Sequence, residues 1–313
     1  MGKIAVIAIG GNSLIKDGHR ITVKDHYKAC LETAHNVSEL IKDGYRIVLT
    51  HGNGPQVGFV LRRCEIARKE IPMLPLDSCV SNTQGGIGYL LQLAFDNVFR
   101  TVGIKKTVAT LITQVVVSKN DEAFKNPSKP IGSFMEAKEA VLHQREEGWQ
   151  IVEDCGRGYR RVVPSPLPKE IIEMDAIRAL LEKDILVIAV GGGGIPVYRD
   201  EEGALRGIEA VIDKDYASCL LAKELKADYF LISTGVEKVS INFKKPNERK
   251  LGQITVNDAL KYIEEGQFAV GSMLPKIKSV VDFVSSTGNI GIITDPSNIS
   301  DAIQKKTGTW ISC

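Results

Sequence analysis

The chain has 313 residues, enough to bury one large α/β core or two lobes. Its 40 basic and 38 acidic side chains nearly cancel to +2, which argues against a surface built for nucleic acid or membrane. Cys30, Cys64, Cys79, Cys155, Cys219 and Cys313 are scattered without a CxxC pair, and the histidines lack metal-binding spacing. Neither a disulfide framework nor structural zinc is expected, and a reducing cytoplasm fits. The opening MGKIAVIAIGGN reads as a strand rather than a leader, and no apolar run approaches membrane-spanning length.

Lys3–Ile9 is apolar and hardly alternates, the pattern of a strand buried on both faces. Gly10-Gly11-Asn12-Ser13 breaks it, either as a plain turn or as an anion-binding helix entry. Lys24–Lys42 has helical periodicity. Arg46–Thr50 is a second strand, running into His51-Gly52-Asn53-Gly54-Pro55 and then a helix over Gln56–Lys69. In a parallel sheet both glycine–asparagine loops lie on the carboxyl edge, where ligands bind. His51 fits a structural role there better than a catalytic one. A helix follows over Asn82–Val102, and Thr107–Val117 reads as one β-branched strand.

The alternation then stops. Residues 118–166 hold Asn126–Gly132, one helix over Glu136–Glu147, and a basic turn, Gly156-Arg157-Gly158-Tyr159-Arg160-Arg161. This reads as a small inserted subdomain over the sheet edge, on which Lys129, fixed near two prolines, either reaches a site or stays in solvent.

The chain's organising stretch is Ile185–Ala217. A buried strand, Ile185–Val190, meets four glycines, Gly191–Gly194, and Val211-Ile212-Asp213-Lys214-Asp215 places a lysine between carboxylates at a helix start. A phosphate site needs backbone N–H groups, a fixed cation and something to orient it, and all three fit here. A tight turn and an ordinary helix cap fit too. Around this stretch, Pro168–Lys183, Lys214–Leu225 and Thr255–Glu265 read as helices. Tyr229–Ser233 and Asn289–Thr294 read as core strands, and Gly308–Ile311 as an edge strand. Gly271-Ser272-Met273-Leu274-Pro275-Lys276 opens a helix running to Ser286, with free first-turn amides and Lys276 beside them. The expected fold is an open αβαβα sandwich on a mostly parallel sheet. No GxxxxGK followed by Ser or Thr occurs, and no GxGxxG opens a helix after a strand, so neither common nucleotide loop is present.

Ala8–Asn12, Thr50–Gln56, Gln84-Gly85, Pro127–Gly132, Val163–Pro166, Ala189–Ile195, Val211–Asp215 and Gly271–Lys276, in this order across nearly the whole chain, resemble the carbamate kinases of the amino acid kinase family. Ser13, where that family more often has alanine, and Asp295–Ser300 depart from the pattern. The resemblance implies reversible phosphoryl transfer, ATP plus carbamate to ADP plus carbamoyl phosphate, with Mg²⁺. It implies a homodimer, and a role in arginine breakdown through the deiminase route. It places carbamate on an N-terminal lobe, about 1–184, and nucleotide on a C-terminal lobe, about 185–313. By the same resemblance Lys214 and Lys276 act on the transferring phosphoryl group and Asp215 positions them. Gly10, Gly11, Asn12, Gly52, Asn53, Gly54 and Lys129 bind carbamate or carbamoyl phosphate. Ser233, Thr234, Gly235, Val236, Met273 and Lys276 meet the nucleotide. A relative acting on N-acetylglutamate is the rival, but such enzymes usually carry lysine before the first glycine pair, where Ala8 and Ile9 stand here. A non-catalytic nucleotide sensor is the other rival, and the intact Lys214, Asp215 and Lys276 speak against it.

Overall fold

The computed structural model describes residues 2–10, 22–154 and 156–313. In chain order the strands are β1 Ile4–Ile9, β2 Arg46–His51, β3 Val108–Thr110, β4 Gln114–Val116, β5 Lys129–Met135, β6 Ile151–Glu153, β7 Tyr159–Val163, β8 Glu170–Ile171, β9 Leu186–Ile188, β10 Ile195–Arg199, β11 Leu205–Gly207, β12 Tyr229–Ser233, β13 Ser240–Ile241, β14 Arg249–Lys250, β15 Gln253–Thr255, β16 Ile290–Thr294 and β17 Thr309–Ser312. The helices are α1 Val23–Lys42, α2 Gly54–Ala67, α3 Leu76–Val102, α4 Ala137–Glu147, α5 Met174–Glu182, α6 Lys214–Glu224, α7 Val256–Glu264, α8 Met273–Thr287 and α9 Ile299–Ile303.

Eight strands form the main sheet in the order β15-β17-β16-β12-β1-β2-β9-β3. From β16 to β3 all neighbours run parallel, while β17 runs antiparallel to β16. The lack of alternation in the sequence has a direct cause: both faces are covered. Val6 and Ala8 of β1, Val48 of β2 and Phe230 and Ile232 of β12 join the core under α5, α6 and α8. Ala5, Ile7 and Ile9, Ile47 and Leu49, and Leu231 join the core under α1, α3 and α9. The expected α/β sandwich on a mostly parallel sheet is what forms. A second sheet, β11-β10-β4-β8, lies beside it. Residues 129–163 form a separate antiparallel sheet, β5-β7-β6, with α4 as its one helix. Among the described residues no helix is long and apolar enough to cross a membrane.

Five sequence expectations change. The helix expected from Asn82 already starts at Leu76, directly after Pro75. The strand expected over Thr107–Val117 is two strands in two sheets. The Gln84 side chain accepts from the Thr113 amide at 2.9 Å, and Thr113 Oγ1 bonds the Leu111 carbonyl, turning the chain out of the first sheet. The helix expected over Pro168–Lys183 starts only at Met174. Before it, β8 pairs with β4, and Glu173 turns its carboxylate to the Gln114 amide at 2.7 Å. The strand expected over Ile185–Val190 is confined to Leu186–Ile188, because Val190 takes a left-handed conformation (φ 54°). Finally, β17 is interior: β15, of which the sequence reading assigned only Thr255, to a helix start, pairs outside it and forms the edge.

Candidate active site

The strand ends bring the candidate residues together. β1, β2 and β12 run parallel, so Gly10, Gly52 and Thr234 all emerge on their carboxyl edge. Helix α6 begins there. Asp213 caps it, its Oδ1 accepting from the Asp215 amide at 2.8 Å. Lys214 at the first helical position points back under the sheet edge, and its Nζ donates to the Ala8 carbonyl at 3.2 Å.

Asp215 sits between two lysines. Its Oδ1 lies 2.9 Å from Lys214 Nζ, an ionic contact without directed hydrogen-bond geometry, and its Oδ2 accepts from Lys276 Nζ at 2.9 Å. Both Lys214 and Asp215 are buried. Burial pushes the Asp215 carboxyl up, but the charges of Lys214 and Lys276 outweigh it and hold the group well below the usual carboxylate range. Burial pulls Lys214 down, aided by repulsion from Lys276 and opposed by Asp215. Lys276 is raised: burial opposes its charge, and the pairing with Asp215 more than offsets that. One carboxylate thus holds two ammonium groups a few ångströms apart, an arrangement that leaves net positive charge for an incoming anion.

The cavity around this unit is about 280 Å³, near the lower end of small-molecule sites (about 300–1,000 Å³). Gly10, Gly52, Asn53, Gly54, Lys129, Lys214, Asp215, Thr234, Gly235 and Lys276 all line it. Gly11 and Asn12 lie outside the described residues. Ser233, Val236 and Met273 do not reach the cavity wall; Ser233 is fully buried, and Met273 packs against the core. Lys129 starts β5 of the three-stranded sheet, and its Nζ pairs with Asp213 Oδ2 at 2.6 Å.

The four-glycine run behaves differently from a phosphate cradle. Of these glycines only Gly192 lines the cavity. A Cβ on Gly192 (φ 66°) would stand 2.2 Å from the Asn53 side-chain amide, and one on Gly193 (φ 90°) 2.3 Å from the Ile212 carbonyl. These glycines let the β2 loop and the start of α6 close on one another.

His51 is buried behind the site, with Nδ1 3.2 Å from the Gly52 carbonyl. Burial, with repulsion from Lys214, lowers its pKa from 6.5 to about 4. A group so placed is neutral at neutral pH and packs the site, which agrees with the structural role read from sequence. Between pH 6.5 and 4 the unfolded chain takes a proton here that the folded chain refuses. Stability from this group therefore falls as pH falls through that window, by roughly 3 kcal/mol at its lower end. His51→Gln is expected to flatten the fall in melting temperature between pH 7 and 4.5. Equal slopes for the two proteins would refute the assignment.

Asp154, Arg157 and Arg160, which the sequence reading did not select, also line the cavity. Their signal was the basic, glycine-flanked turn within the insertion.

Two lysines, one of them buried, bridged by one buried carboxylate at the carboxyl edge of a parallel sheet, form a receptor for a highly charged anion of the kind a phosphotransferase uses. Residues 3–294 match the amino acid kinase family, and the chain belongs to it. It is 48% identical over 99% of both chains to the carbamate kinase-like protein YahI of Escherichia coli strain K12. It is 46% identical to the carbamate kinase of Lentilactobacillus hilgardii, over 100% of this chain and 98% of that one. Among solved structures, carbamate kinase from Giardia lamblia bound to AMP-PNP superposes with a TM-score of 0.90 at 42% identity, covering 99% of this chain and 98% of the other.

Proposed function

We propose that this protein is a carbamate kinase, moving a phosphoryl group reversibly between ATP and carbamate. The observation that carries this reading is the Lys214–Asp215–Lys276 unit, which lines one cavity together with the Gly52–Gly54 turn, Thr234, Gly235 and Gly271. Full-length similarity to named carbamate kinases supports the choice of substrate.

Carbamate is already an anion, so no general base is needed to make the nucleophile. In the direction of ATP formation, an oxygen of the ADP β-phosphate attacks phosphorus as the bond from phosphorus to the carbamoyl oxygen breaks, and that electron pair leaves with carbamate. The protein's part is to position the two oxygens in line and to neutralise the charge on the phosphoryl oxygens. Lys214 and Lys276 supply that charge. Asp215 holds them in place and takes no proton, because its carboxyl is kept ionised by the same pair.

We read residues 1–184 as the acceptor lobe, with the insertion at 118–166 covering it, and residues 185–313 as the nucleotide lobe. Mg²⁺ enters as part of MgATP or MgADP. Among the described residues no cluster of three acidic, histidine or cysteine side chains is arranged to hold a metal. The cavity's Asp154, Asp213 and Asp215 are each already paired with a cation, which fits a metal carried by the nucleotide's phosphates. A homodimer is supported by the exposed face of α3, where Tyr89 and Leu93, one turn apart, are 61% and 37% exposed. We place the enzyme in the cytoplasm, running toward ATP in arginine breakdown through the deiminase route.

Lys129 sits on the insertion and is only paired to Asp213, so it is expected to set affinity rather than rate. Lys129→Ala should raise the KM for carbamoyl phosphate by roughly 10-fold or more with kcat largely kept, the loss of one charged hydrogen bond. Lost turnover with unchanged KM would contradict this. The reading as a whole is tested by ADP release from MgATP in ammonium bicarbonate, which holds carbamate at equilibrium, beside acetate and N-acetylglutamate controls. Activity confined to the carbamate solution supports it; activity confined to a control carboxylate overturns it.

A further inference from the structure

The three-stranded sheet brings a second cationic group to the cavity wall. Arg160 lies on β7 of the inserted sheet and is only 7% exposed. Its guanidinium is held rigidly. Nη1 donates to Asp154 Oδ2 at 3.1 Å, and the Phe134 ring stands 5.1 Å from its centre. Arg157 shares the same carboxylate at 3.2 Å and lies over the same ring. One acid therefore serves two arginines, and the cluster keeps a net positive charge.

Arg160 Nε is buried and has no hydrogen-bond partner. The open side of the fork faces the start of α2: a Cβ on Gly54 would stand 3.8 Å from Nη2. That helix start is itself uncapped, since the Asn53 side chain turns away to donate to Thr83 Oγ1 at 2.8 Å. A buried, incompletely partnered guanidinium and an uncapped helix N-terminus thus meet across one space. Each is costly to leave unpaired, and one anion between them would satisfy both. Burial lowers the Arg160 pKa, with Asp154 opposing; an anion here would further favour the charged form.

We infer that Arg160 is a substrate-binding residue that grips the carboxylate end of carbamate, with Asp154 as its positioning residue. This rests on the proposed function, which puts nucleotide on residues 185–313 and phosphoryl transfer at Lys214 and Lys276. Carbamate is planar with two equivalent oxygens, the shape a guanidinium fork pairs with and a single ammonium does not. In ATP formation the negative charge that develops on the departing carbamate falls against Arg160. The residue then acts on both carbamate affinity and the rate of the step, while leaving MgADP untouched.

The test compares wild type, Arg160→Met, Arg160→Lys and Asp154→Asn in both directions, with melting temperatures. Wild-type turnover of carbamoyl phosphate is measured first: its absence would overturn the proposed function itself. With an active wild type, Arg160→Met is expected to raise the KM for carbamate and lower kcat for ATP formation, each by roughly 10- to 100-fold, the loss of a charged hydrogen bond. The KM for MgADP should stay within about twofold, because the affected interaction is made only to carbamate. Arg160→Lys keeps charge but loses the fork, so its carbamate KM should still rise, and Asp154→Asn should show a smaller change of the same kind. Added guanidinium should restore part of the Arg160→Met rate. Unchanged kinetics in an active, folded Arg160→Met variant would overturn the assignment, as would a loss confined to melting temperature. If Arg160→Met does not fold, Arg160→Lys decides: a wild-type carbamate KM in that variant also overturns it.

Discussion

Lys214→Ala and Lys276→Ala are each expected to lower turnover at saturating carbamoyl phosphate and MgADP by about 10²–10³-fold, the usual cost of removing one preorganised group aimed at developing charge. The expectation follows from geometry. Both ammonium groups are fixed by one carboxylate before substrate arrives, so neither has to reorganise during transfer. Their effect on ground-state binding should be smaller than on the rate, because charge spreads over the phosphoryl oxygens mainly in the transition state. The check is kcat beside both KM values. Turnover near the wild-type level in either variant would remove that lysine from the chemistry. The Lys214 variant should suffer more than a lost charge, since the space it leaves is buried under the end of β1.

Asp215→Asn carries the second large effect, and it acts on both stability and rate. The carboxylate is 2% exposed and stands between two cations. Neutralising it leaves the buried Lys214 with no opposing charge at that contact, a change of the kind that costs about 3–5 kcal/mol. Lys214 then escapes by losing its proton. Its pKa is already lowered by burial and held up by Asp215, so the substitution lowers it further. The alkaline limb of the pH–rate profile should therefore move to lower pH in Asp215→Asn. Asp215 also links stability to acid: its folded pKa is depressed, so its contribution is present above the ordinary carboxylate pKa and is lost as pH falls. A variant with wild-type melting temperature and an unmoved alkaline limb would contradict this account.

The sheet was legible in the sequence wherever both faces of a strand are apolar. Ile4–Ile9, Arg46–His51 and Tyr229–Ser233 lie where their composition put them. Legibility failed where side chains, not patterning, direct the backbone. Thr113 and Gln84 break an apolar run that periodicity reads as continuous. The two- and three-residue strands at 170–171, 205–207 and 253–255 are too short to carry a period. In the site, the Asp-Lys-Asp stretch read equally as an ordinary helix cap, and it was the resemblance to the carbamate kinases that singled out Lys214, Asp215 and Lys276. The role of Gly191–Gly194 was not legible, because glycine composition does not tell a phosphate cradle from a close approach of protein groups. Asp154 and Arg160 were hidden for a similar reason: only the pairing of β7 with β5 and β6 carries Arg160, with Asp154 bonded to it, to the side of Gly54.

The most direct test of the central claim is ATP formation from MgADP and carbamoyl phosphate by the purified protein, with acetyl phosphate run in parallel. The account predicts rapid ATP formation from carbamoyl phosphate alone, one ATP for each carbamoyl phosphate consumed, and its collapse in Lys214→Ala. Nucleotide binding without ATP formation, or equal use of acetyl phosphate, would contradict it.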